Sequence, residues 1–158
     1  MTVRLQRVNT AAHFEARNSN GNTVQIDGAA GIGGQDAGFR PMEVLLTAVG
    51  SCASMDLIAI LTKQRQTLDD VSVRIDGTRK EGDAPHPFTA IHVHFDLKGE
   101  IDERRAARAV SLSVDKYCSV KESLDPNIEV THSFAVEHKT VDQETAERSP
   151  DGGQSHDR

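Results

Sequence analysis

The chain has no tryptophan, a single tyrosine and five phenylalanines among 158 residues, so its core must rest on valine, isoleucine, leucine and alanine. It has two cysteines, Cys52 and Cys118, and its length can bury an ordinary core without disulfide help. No basic cluster is present and the net charge is −6, which argues against a nucleic-acid surface, because phosphates are met by a clustered basic face. The N-terminal MTVRLQRVNT holds no apolar run of the secretory kind, so a cytoplasmic protein is expected. In a reducing compartment two thiols serve in packing or redox chemistry more often than as a permanent staple. Residues 28–38 are rich in glycine. They lack both the strand-to-helix dinucleotide fingerprint and a Gly-Lys-Ser/Thr terminus, and they read as a flexible loop that delivers the chain to the next element.

That element, over residues 41–65, is the strongest feature present. PMEVLLTAVGSCASMDLIAILTKQR predicts one long helix with Cys52 at its middle. Pro41 suits the first turn, where its missing N–H costs nothing. Glu43 lies near the positive end of the helix dipole, and Lys63 and Arg65 near the negative end. Apolar residues fall on almost every side of the cylinder, so the helix is expected to be buried. Its length would suit a membrane span, but Glu43, Asp56 and the basic end argue against one, as does the polar remainder of the chain. Small residues at 50–54 leave room for another backbone or a substrate to approach the Cys52 thiol.

Before this helix, Val3 and Leu5, Phe14 and Ala16, and Val24 and Ile26 alternate with polar residues and predict three short strands, with a turn at 18–22. After it, Val71, Val73 and Ile75, then Ile91, Val93, Phe95 and Leu97, predict an antiparallel pair. Asp102 caps a second helix over roughly 103–117, with Cys118 just past its end, and residues 128–136 predict a final strand. The polar stretch 139–158 has almost nothing to bury and is expected to be a disordered tail after a domain spanning 1–138. The order is α+β, with a single six-stranded antiparallel sheet covering one side of the buried helix. A second subunit covering its other side predicts an obligate homodimer.

Several clusters compete as sites. His92 and His94 share one strand face with Asp96, a set that can bind a transition metal, but no third ligand is fixed by the sequence and an exposed sheet face is the plainer explanation. Ser51 and Ser54 have no identifiable base. His132 and His138 read as ordinary strand and tail residues, and Tyr117 as a packing residue. Cys52 and Cys118 are either buried structural thiols or a redox pair that only the fold can bring together.

Two stretches, FRPMEVLL through GSC at residues 39–52 and DKYCSV at 115–120, resemble the OsmC/Ohr superfamily, the osmotically inducible and organic hydroperoxide resistance proteins. The resemblance covers about residues 1–138 in element order. It implies an intertwined α+β homodimer with the long helices packed centrally and active sites at the subunit interface. It also implies thiol peroxidase chemistry, in which Cys52 attacks the peroxide and becomes a sulfenic acid, Cys118 resolves it as a disulfide, and an external dithiol or lipoylated reductant regenerates both. No bound cofactor or metal is implied.

One position departs from that pattern. In the hydroperoxide resistance branch a glutamate directly follows the helix-starting proline and holds an arginine beside the reactive sulfur. Here that position is Met42 and the acid is Glu43. At about 100° per residue Glu43 lies roughly opposite Cys52, whereas Asp56 lies within about 40° of it, one turn on. A bare carboxylate there would raise the thiol pKa, but an arginine bound to Asp56 would be held next to the sulfur. Arg17 is the preferred candidate and Arg40 the second. These departures place the chain nearer the OsmC-like branch. The expected function is a cofactor-independent peroxidase acting on organic hydroperoxides or H2O2, the alternatives being a small-molecule or lipid-binding protein and a redox sensor.

Overall fold

The computed structural model describes residues 1–138, so the expected tail at 139–158 lies outside the described residues. The chain begins with β1 (Val3–Arg7), β2 (Phe14–Asn18) and β3 (Thr23–Ile26), an antiparallel sheet in which Leu5 faces Ala16 and Ala16 faces Val24. Asn18 closes the β2–β3 turn by accepting the N–H groups of Asn20 and Asn22, both at 3.0 Å, while Gly21 takes the left-handed conformation at φ +86°.

The long helix, α1, runs Pro41–Lys63. Glu43 reaches back so that its Oε2 accepts the Arg40 N–H at 2.8 Å, satisfying one of the donors left free at a helix start. At the other end Arg65 turns left-handed (φ 56°), and the N–H groups of Arg65 and Gln66 return to the carbonyls of Thr62 and Leu61, both at 3.0 Å. Val49, Ala53, Leu57 and Leu61, spaced one turn apart, are wholly buried and form the helix's core stripe. Within the single chain the helix is not buried all round: Met55 is 71% exposed and Ile58 42%.

Strands β4 (Thr67–Arg79) and β5 (Phe88–Glu100) form a long antiparallel ladder with Val73 opposite Phe95 and Ile75 opposite Val93. Then come α2 (Glu103–Ser111), capped by the Asp102 side chain on the Arg105 N–H, wider π-helical turns at Leu112–Tyr117, and α3 (Ser119–Glu122). The last strand, β6 (Glu129–Glu137), lies parallel to β5, with Phe134 beside Phe95. Ile91, Val93, Phe95 and Leu97 meet the α1 stripe together with Ala106, Ala109, Val110 and Val114 in one core. A fully buried leucine or phenylalanine contributes roughly 1.5–3 kcal/mol, so this layer is the chief stabilising element.

The α+β class stands, but the expected single antiparallel sheet is replaced by two three-stranded sheets, β1-β2-β3 and β4-β5-β6, and β6 is parallel. The reason is topological. A helix inserted between consecutive strands carries the chain back along the sheet and delivers the second strand parallel to the first.

The glycine-rich stretch is also better tied than a flexible loop. Asp27, 1% exposed, accepts the N–H groups of Gly28 at 2.8 Å, Gln35 at 2.7 Å and Ala37 at 3.1 Å. Phe39 then bridges to Ile26 beside β3. The Gln35 and Ala37 N–H bonds, against the opposing effect of burial, hold the Asp27 carboxyl below the usual carboxylate range. Its stabilising contribution is therefore complete above the unfolded-chain value of about 3.9 and is lost as pH falls through the lower folded value. Asp27→Asn should lower the melting temperature at neutral pH and flatten its fall with acid. Thermal unfolding followed from neutral pH into acid checks this; parallel curves for the two proteins would refute it.

Candidate functional site

The middle of α1 presents Gly50, Cys52 and Ala53. Gly50 and Ala53 face the core, whereas Cys52 stands roughly 140° around the helix from Leu57, at the edge of the buried stripe. The residue is accordingly partly exposed.

Cys118 arrives from the opposite direction. The π-helical turns end at Tyr117, and Cys118 takes an extended conformation (φ −67°, ψ 95°) before α3. It is 1% exposed, with its Sγ 3.8 Å from the Val49 carbonyl of α1 and accepting the Lys121 N–H at 3.4 Å. Cys52 lies beside it, close enough for the two thiols to interact, and both are free. The fold thus brings together two cysteines that are remote in sequence. Burial pushes the Cys118 thiol up from its ordinary value, the neighbouring Cys52 adds to the rise, and the N–H groups of Lys121 and Val120 offset part of it.

Around this pair runs polar scaffolding. Asp115, in the π-helical turns, accepts from His132 Nε2 of β6 at 3.1 Å and from Ser111 Oγ at 3.0 Å, and Lys121 Nζ lies 3.7 Å from its other oxygen. Farther along α1, Asp56, Ala59, Ile60 and Lys63 face Leu112 and Tyr117 across a groove of about 340 Å³. Tyr117 is not the packing residue expected: it is 48% exposed, with Lys116 Nζ 5.5 Å from its ring centre.

The sequence pattern of the family described as OsmC-like protein matches residues 33–133, a span containing both cysteines. The chain belongs to the OsmC family. Protein YhfA of Escherichia coli K12 is 38% identical over 124 residues, which is 78% of this chain and 89% of YhfA. The crystal structure of a hypothetical protein from Aquifex aeolicus has a TM-score of 0.75 at 30% identity, covering 88% of this chain and 97% of that one. An organic hydroperoxide resistance protein from Legionella pneumophila shares the fold at a TM-score of 0.65 and 14% identity, over 86% of this chain and 98% of its own.

The remaining expected site residues of this OsmC-family chain do not converge on Cys52. Arg17 sits in the N-terminal sheet, donating to Glu15 at 2.7 Å and to the Gly21 carbonyl at 3.2 Å. Arg40 pairs with Asp36, and its Nη1 is buried with no partner among the described residues. Glu43 is occupied at the helix start. Asp56 has no hydrogen bond or ion pair among the described residues, so the expected arginine on Asp56 is not formed within one chain. The physical reason is that the Arg17 guanidinium is held on its own sheet by Glu15 and the Gly21 carbonyl.

The histidine face is satisfied internally. His92 bonds Thr131 Oγ1 and Ser133 Oγ, both at 2.8 Å, and His94 bonds Ser133 Oγ at 2.7 Å and Asp96 at 3.2 Å. Among the described residues no three His, Cys, Asp or Glu side chains are grouped to hold a metal. Sequence reasoning missed Asp115, Lys121 and His132. The signal for the first two was their closeness to Cys118 in the chain; nothing marked His132 without the parallel placement of β6.

These exposures give a direct expectation. Iodoacetamide at neutral pH should modify Cys52 well before Cys118. In Cys52→Ser, alkylation of Cys118 should stay slow until the alkaline range, because burial, the largest cause of its raised pKa, remains. Peptide mass spectrometry against pH measures both, and rapid neutral labelling of Cys118 would contradict the geometry.

Proposed function

We propose that this chain is a thiol-dependent peroxidase that reduces organic hydroperoxides or hydrogen peroxide with electrons from an external dithiol. The observation that carries this reading is the apposition of a partly exposed cysteine, Cys52, with a buried one, Cys118, both reduced. The shared fold with a protein named for organic hydroperoxide resistance supports the same direction.

The Cys52 thiolate attacks the terminal peroxide oxygen. The O–O bond breaks, an S–O bond forms, and the alkoxide, or hydroxide from hydrogen peroxide, takes a proton to leave as alcohol or water. Cys118 then attacks the Cys52 sulfenic acid: an S–S bond forms, the S–O bond breaks, and the hydroxyl departs with the Cys118 proton as water. An external dithiol reduces the disulfide by two exchanges and leaves as its own disulfide. The raised pKa of Cys118 suits this order, since a thiol that stays protonated does not compete for peroxide.

With dithiothreitol or dihydrolipoamide in excess, the wild type should turn over cumene hydroperoxide or H2O2 many times, and Cys52→Ser should fall to the uncatalysed background. Absence of turnover in reduced wild type would overturn the reading. Oxidation that saturates at one equivalent despite excess dithiol would mark a sensor, and ligand affinity intact in Cys52→Ser a binding protein.

The active unit we propose is a homodimer. Met55 and Ile58 on α1, and Val3, Leu5 and Val24 on the N-terminal sheet, are exposed apolar side chains that a second copy would cover. A second copy would also bring new side chains to the groove at Asp56. Light scattering should give twice the chain mass of 17.2 kDa. Met55→Asp combined with Ile58→Asp should shift it toward monomer; a monomeric wild type at micromolar concentration would count against this assembly.

A further inference from the structure

The two cysteines do not stand alone: the segment that carries Cys118 is pinned at one carboxylate. Asp115 joins three elements that converge on the buried thiol. Its Oδ2 accepts from Ser111 at the end of α2 and from His132 on β6, at 3.0 and 3.1 Å, and its Oδ1 faces the Lys121 ammonium at 3.7 Å. Lys121 is also the residue whose backbone N–H meets the Cys118 Sγ at 3.4 Å. One residue therefore holds the sulfur through its main chain and Asp115 through its side chain. Burial alone would raise the Asp115 carboxyl, but hydrogen bonds from His132 and Ser111, with the charges of His132 and Lys121, outweigh it and hold the group below the usual carboxylate range. The anchor is thus an ionised carboxylate at neutral pH.

We infer that Asp115 is a positioning residue for Cys118, holding the turn that carries the thiol against α1 so that the thiol meets an oxidised Cys52 sulfur before a second oxidant does. This rests on the thiol-peroxidase reading for its consequence, but not for its geometry. The competition is between two fates of the Cys52 sulfenic acid. Attack by Cys118 forms the S–S bond and releases water, whereas attack on a second hydroperoxide forms another S–O bond, yielding sulfinic acid and one more alcohol. The first fate needs the Cys118 sulfur in place and the second does not. Asp115 touches neither sulfur, so its removal should leave the first oxidation of Cys52 unchanged and shift only the partition that follows.

The same arrangement can be read without any peroxide. Diamide adds to the Cys52 thiolate through its N=N bond, and Cys118 then displaces the hydrazine to form the disulfide. In Asp115→Asn, which keeps an acceptor oxygen and loses the charge, and in Lys121→Met, which keeps the backbone donor, diamide should close the disulfide several-fold more slowly than in wild type. Under a graded excess of cumene hydroperoxide, the same variants should show a several-fold larger share of Cys52 sulfinic acid by intact mass, with an unchanged rate for the first equivalent. A mere loss of stability would slow or scatter every step and would leave circular dichroism altered. Should Asp115→Asn fail to fold, Lys121→Met carries both measurements. Folded variants with wild-type diamide closure would overturn the positioning role. A wild type that closes the disulfide with diamide yet consumes no peroxide would instead overturn the peroxidase reading and leave the role of Asp115 standing.

Discussion

At Gly50 the helix α1 receives the Ile75 side chain of β4, whose Cδ1 would come within 2.5 Å of a methyl group added there. This contact and the buried stripe beside it seat the helix on its sheet, and the site lies at their edge. With Val49, Gly50 and Ala53 turned inward, the Val49 carbonyl faces the Cys118 sulfur and Cys52 is left at the boundary of the packed stripe. A larger side chain at Ala53 would overpack a wholly buried position, whereas one at Gly50 would first displace the Ile75 side chain. Small residues in the middle of a long apolar helix thus make room for close packing here, despite the helix propensity that glycine forfeits.

Opposite demands are met by the two sulfurs. Cys52 sits on a rigid helix whose ends are both closed by hydrogen bonds, so its position is set by the whole core. Cys118 sits on a single extended residue between π-helical turns and a short helix, a segment with little regular structure to fix it. Polar contacts replace regular structure there: Asp115, His132, Ser111 and Lys121 draw α2, β6 and α3 together around the buried thiol. π-Helical turns are uncommon and recur at functional sites, where the extra residue per turn redirects a side chain.

Much of this was legible in the chain. The length of α1, the proline and acid at its start, the cap at Asp102 and the two-residue alternation of β4 and β5 each follow from local chemistry, and the structure places those elements at nearly the expected residues. The pairing of Cys52 with Cys118 stayed one of two readings from the residues alone, because spacing does not bring remote thiols together, and the resemblance to a family pointed to it. What stayed illegible was set by relations between elements. The parallel course of β6 depends on where α2 sends the chain, and the His132–Asp115 contact depends on that course. Arg17 precedes the β2–β3 turn, yet a position along the chain does not say which sheet face or which subunit an arginine will serve.

Cys52 and Cys118 also mark the two ends of a long internal segment that holds β4, β5 and α2. A bond between their sulfurs would turn that stretch into a covalent ring and remove, by chain-entropy reckoning, about 4 kcal/mol of freedom from the unfolded chain. Folding and electron transfer would then be thermodynamically linked, and the oxidised molecule would resist heat better than the reduced one. By the same cycle, whatever tightens the native packing around α1 makes the closed ring harder for a reductant to open. The redox state of the two sulfurs and the stability of the fold would behave as one variable measured in two ways.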